Sequence, residues 1–403
     1  MGDEQVDPVV AEVGSTGDPG GLYRWVMADL ATSTAGGDPW VERHLGGYPT
    51  LPAWVDHDLL RQGQEFFLMN LWSINVGFLL SSLPLSYCGA DGAAVLHQTG
   101  MLREGSSHRR IFETALLVTE LAEEDGFRPP GGGRPAGNAY LTLLRLRVLH
   151  AAARQVIRDG GVLGPEGQPV RWDETVRGAP VSQLDLLGTV GAFALGSLRA
   201  LERAQPGSTE PHREAWAHLW SLAGHLIGVT DRSSAGPLLP MDHAELSRCF
   251  EAVGRRQFRS SPEGEALAAE VVRLGRAWVP FQRMDDLVEA LLWDHLDHRA
   301  GMLGIPRRDD QRLLDRARWV WLLTRDDAPP PGARYGRGRL RRALVRKWLL
   351  RRLAHELICP GRRQLRTAEA TSELFRTYRS ALPMRRPHRW RRCCRVGVNG
   401  AGG

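Results

Sequence analysis

The stretch 141-LTLLRLRVLHAAARQVIRDGG-161 decides how this chain is read. Leucine, alanine, arginine and glutamine favour helix, no proline interrupts, and Gly160-Gly161 mark the end. At about 3.6 residues per turn, Arg147, His150 and Arg154 stand at i, i+3 and i+7 on one face. Leu143, Leu146 and Leu149 fill neighbouring apolar positions, which puts the histidine in or beside a core. One reading is a satisfied core histidine whose arginines reach solvent or carboxylates. The other is a ligand that wants one imidazole beside positive charge. A haem is such a ligand, because its iron takes an axial histidine and its propionates attract arginine.

Working outward, helical periodicity recurs at about 58–83, 108–125, 138–159, 181–203, 212–228, 241–256, 261–275, 280–301 and 309–325. The joints carry breakers, such as DGFRPPGGGRPAG at 125–137, GVLGPEGQPV at 161–170 and AQPGSTEP at 204–211. Runs of alternating β-branched residues are scarce, so the expected fold class is all-α. Residues 1–37, rich in glycine, aspartate and proline at their start, are expected to be disordered. A helical domain is expected over 38–325, and a linker with a basic helical extension over 326–403. Within that extension, 340-LRRALVRKWLLRRLAHELI-358 is an amphipathic basic helix by pattern, suited to peripheral contact with anionic lipid. No nucleic-acid recognition motif accompanies it, so no specific nucleic-acid partner is expected.

The net charge of +6 comes almost wholly from arginine, with Lys347 the only lysine. Five cysteines, Cys88, Cys249, Cys359, Cys393 and Cys394, show no metal-ligand spacing and read as reduced thiols of an intracellular chain. The acidic start MGDEQVDPVVAEVG has no apolar signal core, so the expected location is cytoplasmic. The run 66-FFLMNLWSINVGFLLSSLPLSY-87 raises the membrane question. Asn70, Ser73, Asn75 and Pro84 interrupt it, and a buried core helix is the better reading.

Other constellations are weaker. His295 and His298 in 293-WDHLDHRAG-301 make a conceivable helical metal pair without a specified third ligand. His218 and His225 share a helix face with Trp216, Leu219 and Trp220, where core packing is the default. In 178-GAPVSQLDLLGTVGAFALGSL-198, Gln183, Asp185 and Thr189 punctuate an apolar helix. Gly188 and Gly191 would admit a flat ligand or, more simply, another helix.

Ordered motifs then carry a resemblance. The runs 110-RIFET-114, 147-RVLHAAAR-154, 180-PVSQLDLLGT-189 and 218-HLWSLAGHLIGVTD-231, followed by LLPMDHAE, resemble the latex clearing protein and MpaB-type oxygenase family. The resemblance covers about residues 38–308 and ends in 299-RAGMLGIPRR-308. It implies a globin-like helical core holding haem b, in a family that includes oxygenases cleaving carbon–carbon double bonds of polyisoprene. It implies His150 as the axial iron ligand, with Arg147 and Thr189 lining the cofactor. It also implies Arg110 and Thr114 on the catalytic side of the pocket, with dioxygen as co-substrate, and the neighbouring Glu113 is a further candidate there to hold or move a proton. Glu113 stands where rubber-cleaving members have a lysine, the 125–137 loop is long and glycine-rich, and no export signal is seen. These departures argue against polyisoprene itself. The expected function is oxygenation of a hydrophobic, unsaturated, isoprenoid-like small molecule, with a non-catalytic haem- or lipophile-binding protein as the alternative.

Overall fold

Asn70 ends the first long helix and bends the chain. In the computed structural model its side-chain amide donates to the Phe66 carbonyl at 3.0 Å. Its backbone N–H is shared between the Phe66 and Phe67 carbonyls at 3.2 and 3.1 Å. The expected single helix over 58–83 is therefore three pieces: α2 (His57–Met69), α3 (Leu71–Gly77) and a π-helical turn (Phe78–Ser82) that runs on into α4 (Leu83–Tyr87). The axis turns by 85° between the two halves. An asparagine amide that bonds its own carbonyls offers the backbone an alternative to continued helix.

The structure describes residues 2–14, 50–98, 114–160, 171–229 and 232–307, apart from short gaps at 116, 132–133, 135, 205–206, 208, 234–235 and 279–285. All of these fall in the first of two compact units, residues 1–352, while the second, 353–403, lies outside them. The basic extension expected over 326–403 likewise lies outside the described residues.

While the expected stretch 309–325 lies outside the described residues, the remaining helices include three that the pattern did not single out, at Asp7–Gly14, Ala90–Gln98 and Glu174–Arg177. The remaining helices are α1 (Asp7–Gly14), α5 (Ala90–Gln98), α6 (Asn138–Arg158), α7 (Glu174–Arg177), α8 (Gln183–Ala204), α9 (Arg213–Leu226), α10 (His243–Gln257), α11 (Pro262–Trp278), α12 (Leu287–Leu296) and α13 (Arg299–Met302). The only strands among the described residues are a two-residue hairpin, Arg232–Ser233 with Gly236–Pro237. The all-α expectation holds.

The core is built around α8, which packs on α3, the π turn, α4, α9 and α10. Phe67, Phe78, Phe193, Trp216 and Trp220 meet there with neighbouring ring centroids between 5.3 and 6.3 Å apart. These are offset and edge-to-face contacts, which add to the hydrophobic burial of the rings. The Trp216 indole donates to the Ala194 carbonyl at 2.9 Å, so its one polar atom is satisfied. Small residues permit the close approaches. A Cβ on Gly63 would stand 2.6 Å from the Ala215 carbonyl oxygen, where α2 crosses α9. A Cβ on Gly191 would stand 2.6 Å from the Phe250 ring, and one on Gly188 3.1 Å from Val253. Gly188 and Gly191 thus serve helix packing against α10. The residues Gln183–Arg203 are long and apolar enough to cross a membrane, but 72% of that window is buried inside the protein.

The N-terminal segment departs from expectation. Residues 1–37 read as disordered from composition, yet residues 2–14 are ordered and end in α1. Val6 and Val10, at 2% and 0% exposure, pack against Val148, Ala151 and Ala152 of α6. Composition misled because the order comes from a docking surface about 140 residues away in sequence, which no local propensity reports. Residues 15–37 lie outside the described set.

Candidate functional site

Helix α6 is the longest element near the N-terminal segment, 21 residues from Asn138 to Arg158. It is closed by Gly160 at φ 68, a left-handed position where glycine carries no Cβ penalty. Its face bearing Arg147, His150 and Arg154 lies beneath residues 2–10. Each arginine holds one carboxylate from that segment. The Arg147 guanidinium donates through Nε and Nη2 to Asp3 at 2.5 and 3.0 Å, and through Nη2 to Gln5 at 2.8 Å. Arg154, only 1% exposed, donates through Nε to both Asp7 oxygens at 2.8 and 3.0 Å. Its Nη2 stands 2.6 Å from Asp7 Oδ1. Two-pronged arginine–carboxylate pairs of this kind are directional as well as strong.

Two further groups fix the frame. Arg154 Nη1 donates to the Val181 carbonyl at 2.8 Å, and Val181 is held at φ 48. A β-branched residue in the left-handed region stores backbone strain, and here the strained carbonyl faces a buried guanidinium. Gln183, the first residue of α8, donates its side-chain amide to the Gly2 and Gly228 carbonyls at 3.2 and 2.9 Å. The site therefore draws on the N-terminal segment, α6, the start of α8 and the turn after α9.

His150 sits between the two arginine pairs. Its Nδ1 is enclosed and has no hydrogen-bond partner. Burial presses its pKa down to about 3, with the Arg154 charge adding to the shift and Asp3 opposing it. The imidazole is therefore neutral at physiological pH, which is the form that binds a metal. Burial alone would raise the Asp3 carboxyl, but the Arg147 hydrogen bond and charge, with the Val6 and Gln5 amides, outweigh it. Asp3 is held below the ordinary carboxylate range and stays ionised.

The other sequence candidates fall in different places. Thr189 is exposed, and its hydroxyl donates to the Asp185 carbonyl at 2.8 Å, within its own helix. Asp185 belongs to a reciprocal cap: its Oδ2 accepts from the Ser182 backbone N–H and hydroxyl at 2.7 and 2.9 Å. The Asp185 N–H in turn donates to the Ser182 hydroxyl at 3.3 Å. Thr114 is half-buried in a helical stretch, while Arg110 and Glu113 lie outside the described residues. His218 accepts the Asp56 N–H at 3.0 Å, and Trp54 lies edge-on to both His218 and His225, so this pair is core packing. His295 is buried and neutral, its pKa lowered to about 4 by burial, while His298 is exposed. Among the described residues no group of three or more His, Cys, Asp or Glu side chains is placed to hold a metal ion.

Asp3 and Asp7 were missed by motif reading. Their signal is faint: two acids at i, i+4 interleaved with Val6 and Val10 at the same spacing, which together make one amphipathic turn.

Fold and site together define an all-α protein whose core-facing helix presents a neutral imidazole between two arginines. An orphaned, enclosed ring nitrogen flanked by two carboxylate-binding guanidiniums suits a macrocycle that carries both an iron and two carboxylates. Residues 73–325 match the family model described as ER-bound oxygenase mpaB/B'/Rubber oxygenase, catalytic domain, and the chain belongs to that family. A rubber oxygenase from Streptomyces sp. (strain K30) is 25% identical over 279 residues, covering 66% of this chain and 61% of its own length. The match thus spans less than two thirds of that relative. A solved structure of latex clearing protein LCP in the closed state superposes with a TM-score of 0.65 at 21% identity, over 87% of this chain and 90% of that one. At that identity the likeness is one of fold.

Proposed function

We propose that this chain is a haem b-dependent oxygenase acting on a hydrophobic, unsaturated, isoprenoid-like small molecule, with dioxygen as co-substrate. The observation that carries the reading is the enclosed, neutral His150 between Arg147 and Arg154. His150 would ligate the iron and the two arginines would bind the cofactor's carboxylates. Bound haem supplies an iron centre for dioxygen chemistry, which no side chain provides. The protein's part is to keep the imidazole unprotonated, exclude water from it and orient the cofactor's carboxylates. Arg110, Glu113 and Thr114 are proposed for the substrate side, where a carboxylate and a hydroxyl would hold or move a proton. Thr189 is kept as a cofactor-lining proposal only for a rearranged rim, since its hydroxyl bonds within α8 here. Helix α8 is committed to the core, so peripheral membrane contact of a cytoplasmic chain is proposed for the basic residues after 326.

The test is His150→Ala in the full chain. The parent should take up one equivalent of haemin with a sharp Soret band, while the variant should bind weakly and heterogeneously. An unchanged, stoichiometric spectrum in the variant would remove His150 as the ligand.

A further inference from the structure

Both arginines that flank His150 have their carboxylate-binding edges filled, and both carboxylates come from one short segment. Arg147 spends Nε and Nη2 on Asp3, and Arg154 spends the same two nitrogens on Asp7. The acids sit four residues apart in a segment anchored otherwise by two valines and by the Gly2 carbonyl on Gln183. A guanidinium edge that grips one carboxylate in two-pronged fashion cannot grip a second. A dicarboxylate cofactor that gripped these two edges would have to displace both acids.

We infer that residues 2–14 are a removable plug, in which Asp3 and Asp7 stand in for the two carboxylates of the cofactor until it arrives. The inference rests on the haem reading of the same site. The plug keeps the buried Arg154 guanidinium and the half-buried Arg147 guanidinium paired, and a buried charge left unpaired is costly. Loading exchanges two carboxylates for two carboxylates, so the charge on Arg147 and Arg154 stays balanced throughout. Gly2 fits the arrangement, because a Cβ there would stand 2.1 Å from Asp7 Oδ2. A larger residue at position 2 would push the Asp7 carboxylate aside.

The experiment uses the full chain. Hydrogen–deuterium exchange over residues 2–14 is measured with and without one equivalent of haemin, alongside haemin titrations of the parent, of Asp3→Asn/Asp7→Asn and of Val6→Ser/Val10→Ser. Loading should strip protection from residues 2–14. Both variants should bind haemin about tenfold or more tightly than the parent, because a competitor that lowers the binding-competent fraction has been weakened. The valine variant leaves both carboxylates in place, so it separates competition from simple loss of charge. Protection retained by the loaded parent, or looser binding by both variants, overturns the plug while leaving the haem reading intact. Failure of every chain to bind haemin overturns both.

Discussion

Glu120 offers a sharp test of the electrostatics, because its folded environment opposes its charge. It lies against Thr142 and Arg145 of α6, and its Oε2 is enclosed without a hydrogen-bond partner. Burial raises its pKa from 4.5 to about 7, Glu123 adds to the rise, and Thr142 and Arg145 only partly offset it. Between those two values the folded chain keeps a proton that the unfolded chain releases. The resulting stabilisation is complete below pH 4.5 and lost as pH rises through about 7. At about 1.4 kcal/mol per unit, the loss amounts to at most roughly 3–4 kcal/mol. Glu120→Gln keeps the shape and removes the titration. Urea midpoints should therefore fall from about pH 5 to about pH 8 in the parent by more than in the variant, leaving the variant the more stable at the alkaline end by roughly 2 kcal/mol. Parallel pH profiles for the two chains would show that Glu120 is solvated in the folded state and would refute the argument.

Two further substitutions test the packing that positions the site. Gly191→Ala should destabilise by about 1–2 kcal/mol, because its Cβ meets the Phe250 Cβ as well as the ring and α10 must shift, outweighing alanine's helix preference; a neutral or raised urea midpoint would mean α8 and α10 are not locked there. Asp242→Ala should cost about 1 kcal/mol by removing the capping box with Glu245 at the start of α10, visible as a lower melting temperature with unchanged haem uptake.

What could be read from the sequence was whatever repeats at helical spacing. The α6 face with Arg147, His150 and Arg154 follows from 3.6-residue periodicity, and the structure puts those three side chains on one surface. The glycines of α8 read as packing positions, and Phe250 and Val253 pack there. Three features escaped. Asn70 was visible as an interruption, but the 85° turn depends on how α3 and the π turn then settle on α8. The local bonds of Asp185 and Thr189 were not legible either: one serves a cap and the other bonds a carbonyl one turn back. The order in residues 2–14 needed knowledge of a distant, complementary surface, since two valines and two acids do not hold a turn by themselves.

The hydroxyl of Ser82 in the π turn donates to the Phe193 carbonyl of α8 across 111 residues of chain. That single bond measures how late the core is completed. Every helix from α5 to α7 lies inside the loop it closes, and the aromatic cluster forms only when α8 returns to the π turn. Loop-closure entropy grows slowly with length, but it must be met in full before any of the ring contacts repay it. In that interval the uncovered apolar surfaces of α8 and α9 are the ones most exposed to association with other chains.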